Sequence, residues 1–141
     1  MKKIVILFLI FKSFAFGYIN LYPLEFNKDI TYGAAEEFVL YNRTTEIRKY
    51  RVYVESVEGK ESMADWVQVY PRSISISPLK EEILKIYVEA PSGTKEGEYQ
   101  ANLVIKEISL PVTLQDKEEL EKKTRILTMV KLRLKGRVAY D

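Results

Sequence analysis

The stretch Lys123–Tyr140, KTRILTMVKLRLKGRVAY, decides the fold class of this chain. Apolar residues alternate in it with cations, and Gly136 interrupts the pattern once. The apolar set is Val130, Leu132, Leu134, Val138 and Tyr140, and the cationic set is Lys131, Arg133, Lys135 and Arg137. Successive side chains of a β-strand point to opposite faces at ~3.3 Å per residue. The stretch therefore predicts a long strand with one apolar face and one basic face.

Two interpretations of this strand stay open. It is either the last strand of a β-sandwich whose basic face is solvated, or a strand whose edge is offered to another polypeptide. The second interpretation rests on the unpaired N–H and C=O groups of a strand edge, which are a template for pairing with another chain.

The rest of the chain consists of short alternating segments separated by turn residues, with no repeat and no long helical period. The inward-facing residues are predicted to be Phe38 and Leu40, then Tyr50, Val52 and Val54, then Leu84, Ile86 and Val88, then Tyr99, Ala101, Leu103 and Ile105, with Ile74 and Ile76 on an extended connection or a short edge strand. About seven strands with frequent turns are typical of an Ig-like antiparallel β-sandwich. We therefore predict an all-β domain.

The first strand is predicted to be split by a proline. Ile19–Tyr22 ends at Pro23, and 26–30 resumes as a second half that can change sheets. Asn42 begins a turn and also starts the sequon Asn42-Arg43-Thr44, but we interpret it as a turn residue that satisfies its own backbone.

Two aromatic residues are interpreted as structural. Trp66, the one tryptophan, lies in a predicted strand over Asp65–Tyr70 and is predicted to pack in the core. Tyr99 follows Gly97 at the start of a strand and is similar to the tyrosine corner of Ig-like domains, in which the hydroxyl bonds to the preceding loop.

Residues 1–17 have the composition of a secretory signal. Lys2 and Lys3 precede the apolar run Ile4–Phe11, and small residues at Ala15 and Gly17 suit cleavage before Tyr18. The apolar run is shorter than the ~20 residues that span a bilayer. We expect an exported protein with no membrane span after signal removal, consisting of one domain over 18–141 and residing in the periplasm.

Composition excludes several function classes. The chain has 22 Lys and Arg against 20 Asp and Glu, and removal of 1–17 leaves 19 against 20, so nucleic acid is not an expected partner. It has no Cys and no His, which removes disulfides, Cys/His metal sites and the usual nucleophile–base pairs. We predict a non-enzymatic protein without a cofactor, and a hydrolase that uses paired carboxylates stays as a third hypothesis.

The segment Ser109–Thr124 differs from the rest. Its run Asp116–Lys123, DKEELEKK, places Glu118 and Lys122 at i,i+4, as one or two exposed helical turns would. We favour a mobile charged loop that lets the last strand reach the sheet.

The order of these pieces resembles the N-terminal Ig-like domain of periplasmic pilus chaperones of the chaperone-usher type. The resemblance is carried by Tyr22-Pro23, Asn42 at the end of a strand, Trp66-Val67 leading to Pro71 and Pro78, Ile83-Leu84-Lys85-Ile86 followed by Pro91, and the closing Arg137-Val138-Ala139-Tyr140. It covers nearly all of 18–141, and we expect a single-domain relative, whereas the family has two Ig-like domains.

The resemblance implies a specific activity. Family members lend their last N-terminal-domain strand to an unfinished pilin subunit, whose groove receives alternate apolar residues. Here those residues would be Val130, Leu132 and Leu134, with Met129 beside them. The implied partners are a pilin-like exported subunit and an usher-type protein.

The resemblance also implies a clamp for the carboxyl terminus of the subunit, built from an arginine in the first strand and a lysine in the last. Arg137 stands where the lysine belongs, and either cation can bind a carboxylate. Pro23, Leu24 and Glu25 stand where the arginine belongs, and Glu25 would repel a carboxylate.

The leading hypothesis is an exported chaperone-like protein that binds a polypeptide by β-strand addition through 127–140. It predicts that aspartate at Leu132 or Leu134 abolishes partner capture while the core stays folded. The alternative is a structural or adhesive Ig-like domain of the cell envelope, which the same substitutions should unfold.

Overall fold

The computed structural model describes residues 19–108 and 127–140. The predicted signal segment and the charged segment Ser109–Thr124 lie outside the described residues. Within the described part of the chain, no helix is long and apolar enough to cross a membrane.

The described residues form short strands and one turn of 3₁₀-helix. The strands are β1 (Ile19–Tyr22), β2 (Phe26–Asp29), β3 (Ala34–Asn42), β4 (Arg48–Glu55), β5 (Val67–Tyr70), β6 (Ser73–Ile76), β7 (Glu81–Val88), β8 (Gly97–Ile108) and β9 (Met129–Val138), and the 3₁₀ turn is Ala64–Trp66.

Two sheets pack face to face. One has the strand order β1-β3-β7-β5, and the other has the order β2-β9-β8-β4-β6. Neighbouring strands are antiparallel except for β2 and β9, which run parallel. The predicted Ig-like β-sandwich is confirmed.

The core lies where the alternation placed it. Phe38, Leu40, Tyr50, Leu84 and Leu103 are each 0% exposed, and the other predicted inward residues are buried or partly buried. Each such aliphatic side chain contributes about 1.5–3 kcal/mol on burial. This burial fixes the register of every strand, because a slip by one residue would turn its apolar row outward.

The split of the first strand is confirmed. β1 pairs with β3 in the four-stranded sheet, whereas β2 pairs with β9 in the five-stranded sheet. The chain crosses between the sheets at Pro23, which has no N–H to donate to either ladder.

The two turn predictions are also confirmed. The Asn42 side chain is buried, donates to the carbonyls of Glu46 at 2.7 Å and Ile76 at 2.9 Å, and accepts from the Thr44 N–H. The Tyr99 hydroxyl donates to the Lys95 carbonyl at 2.6 Å, which is the tyrosine-corner contact.

Trp66 differs from its predicted secondary structure. The sequence placed it in a strand starting at Asp65, but it ends the 3₁₀ turn and the strand begins at Val67. The Ser62 hydroxyl accepts from the Ala64 N–H and the Trp66 N–H donates to Met63, so local hydrogen bonds favour the turn. Trp66 still packs against the core, with its ring 4.9 Å from that of Tyr99.

A buried polar cluster lies at the end of the core where β9 begins. The Arg48 guanidinium donates to Glu107 Oε2 at 2.9 Å, and the Thr128 N–H donates to Glu107 Oε1 at 2.9 Å. The Glu107 side chain is 1% exposed. This carboxylate therefore joins β4 to both strands of the β8–β9 pair.

Candidate partner-binding edge

The two sides of β9 are covered to different extents. β8 pairs with it over its whole length, from Met129 to Val138. β2 pairs with it only at 134–137, starting with Phe26 opposite Leu134. Among the described residues, no strand pairs with the β2 side of β9 between Met129 and Arg133.

The backbone groups that face this side follow from two hydrogen bonds. The Ile30 N–H donates to the Arg137 carbonyl at 2.8 Å. The backbone N–H and C=O groups of odd-numbered residues of β9 therefore point toward the β2 side. The Glu107 N–H donates to the Thr128 carbonyl at 2.8 Å, so even-numbered residues face β8. Met129 and Lys131 therefore present both N–H and C=O away from β8, and Arg133 presents its N–H. We call these groups the open edge.

The sheet crossing at Pro23 explains why the open edge exists. β2 occupies the strand position beside β9 and would cover residues 129–133 if it extended backward from Phe26. Instead the chain before Phe26 leaves for the other sheet, where β1 pairs with β3. One proline-directed crossing thus leaves a strand-wide position beside the first half of β9 that no described strand fills.

Cations on β9 would be expected to shield the open edge, since charged side chains commonly block edge pairing. Here the Lys131 and Arg133 side chains point toward β8 and β4, away from the open edge. Lys131 Nζ lies 2.9 Å from Glu55 Oε1 of β4, and the Arg133 guanidinium donates to Gln100 Oε1 at 2.7 Å and Asn102 Oδ1 at 3.0 Å. The two cations therefore lie over the sheet rather than beside the backbone groups of the open edge.

The register explains this tilt. Val104 of β8 stands between Tyr53 of β4 and Lys131 of β9 on the outer face, and it is 0% exposed. The stem of Lys131 has an apolar surface to cover on that side and a carboxylate beyond it. The hydrogen bond from Lys131 lowers the pKa of Glu55, and the Glu55 carboxylate raises the pKa of Lys131.

The apolar residues predicted to fill a partner's groove face the domain's own core. Leu134 is 0% exposed, Val130 2% and Leu132 8%, whereas Met129 is 50% exposed on the outer face. A partner-binding role for these four residues stays a prediction. An aspartate at Leu132 or Leu134 would bury a carboxylate, so we expect it to unfold the domain, and it does not distinguish a chaperone from a structural domain.

Arg137 lies at the far end of β9 from the open edge. Its guanidinium donates to Asn27 Oδ1 at 2.6 Å, and Asp29 is its register partner on β2. The pKa of Asp29 is lowered by hydrogen bonds from Thr31 and also by Arg137. The carboxylate opposite Arg137 is therefore Asp29, whereas Glu25 precedes the other end of β2. The clamp role of Arg137 stays a prediction.

The open edge offers backbone N–H and C=O groups for hydrogen bonding. Among residues 19–108 and 127–140, no group of three or more Asp or Glu side chains is placed to hold a metal ion. Sequence reasoning found the strand and its faces but missed the tethers at Glu55, Gln100 and Asn102. Period-two alternation assigns a face to each residue, whereas cross-strand partners depend on register.

Comparison with known proteins adds information on the fold only. No protein-family model matches the chain, and no curated protein matches it. Among solved structures, the periplasmic chaperone SfaE is similar with a TM-score of 0.60 and 15% identity over 87% of this chain and 60% of that chain. A chain of the complex of Salmonella enterica SafA pilin with the SafB chaperone is similar with a TM-score of 0.56 and 11% identity over 87% of this chain and 54% of that chain.

A different group of proteins is equally similar. WR4, a member of the MSP family of C. elegans, has a TM-score of 0.55 and 16% identity over 86% of this chain and 98% of that chain. The chain thus spans about three fifths of the length of SfaE and nearly all of WR4. At identities this low, the structural similarity shows the fold alone, and pilus chaperones and MSP domains both have this Ig-like fold.

Proposed function

We propose that this protein is an exported, non-enzymatic chaperone-like module that binds an extended segment of another exported polypeptide by β-strand addition at the open edge. The observation that carries the proposal is the open edge itself, with both backbone groups of Met129 and Lys131 and the N–H of Arg133 directed away from β8. An added strand would lie in line with β2 and continue the five-stranded sheet.

The geometry supports a modest contribution from the backbone. Each hydrogen bond of such a pairing is worth about 0.5–1.5 kcal/mol net. A handful of these bonds gives weak binding on its own, because association and ordering of the segment oppose it. Side chains of the segment must therefore supply the rest, beside Val130 and Leu132 on the inner face and Met129 on the outer face.

The similarity to periplasmic chaperones supports the choice of partner. The proposed partner is a pilin-like exported subunit, which the module would bind before the subunit passes to an usher-type protein. We place the protein in the periplasm after removal of the signal segment 1–17. The Ig-like fold alone does not carry this assignment, since fold and function are separable.

A proline at Lys131 tests the proposal. Lys131→Pro removes an N–H that faces the open edge and leaves the even-numbered ladder to β8 intact, as prolines on edge strands do. The matched control Lys131→Thr removes the same charge and keeps the N–H. Both variants are purified, checked for folding by circular dichroism, and used to capture exported proteins from a bacterial periplasmic fraction.

We expect wild type and Lys131→Thr to capture the same polypeptide, and folded Lys131→Pro to lose it. Equal capture by all three proteins would contradict strand addition at this edge. The structural or adhesive interpretation would then be the better one, with β9 serving only its own core.

A further inference from the structure

The outer face of the five-stranded sheet carries an excess of cations. Its outward-facing cations are Lys49, Arg51, Lys106, Lys131, Arg133, Lys135 and Arg137, and its outward-facing acids are Asp29, Glu55 and Glu98. The whole chain has nearly equal numbers of the two, 22 against 20. Charge is therefore distributed unevenly, and this face is the positive one.

The excess is greatest beside the open edge. Arg51 of β4 stands directly opposite Lys106 of β8, and Lys106 stands opposite Met129 at the start of the open edge. Like charges that face each other across two strands are destabilising. Among the described residues, no carboxylate lies within ion-pair distance of Lys49, Arg51 or Lys106, and Glu55 is already bonded to Lys131. We call Lys49, Arg51 and Lys106 the basic patch.

The outward side chains of a strand added at the open edge would lie on the same face of the sheet as this patch. Adjacent strands lie ~4.8 Å apart, so its outward side chains would be one strand from Lys131 and two strands from Lys106. Long cationic side chains and a Debye length of ~10 Å at 0.1 M salt bring Lys131 and Lys106 within electrostatic reach, whereas Lys49 and Arg51 lie one strand farther away on β4 and act more weakly. Its inward side chains would continue the apolar layer of Val130 and Leu132.

We infer that the segment bound at the open edge alternates apolar residues, facing the core, with acidic residues, facing the basic patch. This inference rests on the proposed function and specifies its substrate class. An acidic outward row offsets the repulsion between Arg51 and Lys106. It also makes the open edge bind acidic segments more tightly than other segments that form the same backbone hydrogen bonds. It also speeds encounter, since complementary charge raises association rates.

Three synthetic peptides of equal length test the inference. Each alternates valine with a second residue, which is glutamate in the acidic peptide, threonine in the neutral peptide and lysine in the basic peptide. Binding to the purified protein is measured by fluorescence anisotropy at low and high salt. The test variant replaces Lys49, Arg51 and Lys106 with glutamine, and the charge-matched control replaces the exposed loop residues Lys60, Lys80 and Lys95 with glutamine.

We expect the acidic peptide to bind wild type most tightly and the basic peptide least. The patch variant should bind the acidic peptide about twofold to fivefold more weakly, because Lys106 lies two strands from the bound segment and Lys49 and Arg51 lie three strands away, and it should bind the neutral peptide as well as wild type does. The control variant should match wild type with both peptides, and high salt should remove the acidic preference.

Three results would overturn the inference in distinguishable ways. Equal affinity for acidic and neutral peptides, unchanged in the patch variant, would leave strand addition intact and exclude the charge preference. No binding of any peptide to wild type would remove the proposed function and the inference with it. Patch-dependent binding to vesicles containing phosphatidylglycerol, with peptide binding unaffected, would assign the patch to a membrane surface and also overturn the inference.

Discussion

Lys131 Nζ lies 2.9 Å from Glu55 Oε1, and this ion pair holds the central cation of the open edge over the sheet rather than over its own backbone. Glu55→Gln removes the counter-charge and lets the lysine extend across the edge. We expect the variant to keep wild-type stability, because the pair is exposed, and to bind the neutral valine–threonine peptide a few-fold more weakly. Glu58→Gln, an exposed charge change in the following loop, is the control and should bind as wild type does.

The same ion pair predicts a pH dependence. Lys131 lowers the pKa of Glu55 below its ordinary value of 4.5, so the tether is present at neutral pH and is lost as the pH falls through that lowered pKa. Wild-type peptide binding should therefore decline more than binding by Glu55→Gln over that acid range. Parallel pH profiles for the two proteins would contradict a tether that controls access to the edge.

Glu107 is the second position with a measurable consequence. Glu107→Ala removes the buried partner of Arg48 and the acceptor of the Thr128 N–H, so we expect a loss of about 3 kcal/mol in the free energy of unfolding. Glu46→Ala is the control, because Glu46 pairs with the same arginine at 3.5 Å but is 71% exposed, and it should cost less than about 1 kcal/mol. Urea unfolding of both variants measures the difference, and similar costs would refute the buried role of Glu107.

Gly136 is required by close packing. A Cβ added there would lie 2.7 Å from Ile30 Cδ1 and 2.8 Å from Met63 Sδ, both of which belong to buried side chains. Gly136→Ala should therefore lower the free energy of unfolding by about 1–3 kcal/mol. Combining it with Ile30→Val, which removes the Cδ1 atom, should cost less than the sum of the two single changes. Additive costs in urea unfolding would show that this contact is not the cause.

At Tyr50, a substitution is expected to preserve or raise the free energy of unfolding. Its side chain is 0% exposed, and its hydroxyl has no hydrogen-bond partner among the described residues. Tyr50→Phe should leave the free energy of unfolding unchanged or raise it by up to about 1 kcal/mol at neutral pH. Tyr99→Phe is the matched control and should lower stability, because it removes the 2.6 Å bond to Lys95. A loss of stability in Tyr50→Phe would mean that the hydroxyl has a partner.

Tyr50 also has a signature at high pH. Burial and the charge of Glu107 raise its pKa to about 12 from the ordinary value of 10.0, while the Arg48 charge acts the other way. Its contribution to stability is present below pH 10 and is lost between 10 and 12, where the unfolded chain releases the proton first. Tyr50→Phe should therefore lose less stability than wild type over that window. Equal losses, measured by urea unfolding across the range, would contradict the raised pKa.

Much of this fold could be predicted because a strand with one buried face alternates apolar and polar residues in the sequence. Leu84, Ile86 and Val88 all face inward as their spacing predicts, and Pro23 marks the sheet crossing because a residue without an N–H ends a ladder. The start of β5 at Val67 was missed, since the Ser62 hydroxyl stabilises a 3₁₀ turn that apolar pattern does not encode.

The candidate site was only half accessible to sequence reasoning. The alternation of β9 identified Leu132 and Leu134 as one apolar row but could not say whether that row faces a partner or the domain's own core. The open edge depends on where β2 begins beside β9, and the tilt of Lys131 depends on Glu55 two strands away. Both are consequences of register and of contacts between residues distant in sequence.

Amide hydrogen exchange along β9 tests the central claim most directly. In the free protein, the amides of Val130 and Leu132 should be protected by β8, whereas those of Met129, Lys131 and Arg133 should exchange rapidly, and all five should be protected once a strand-forming peptide is bound. If the amides of Met129, Lys131 and Arg133 are already protected in the free protein, or stay unprotected in the complex, strand addition at the open edge is contradicted.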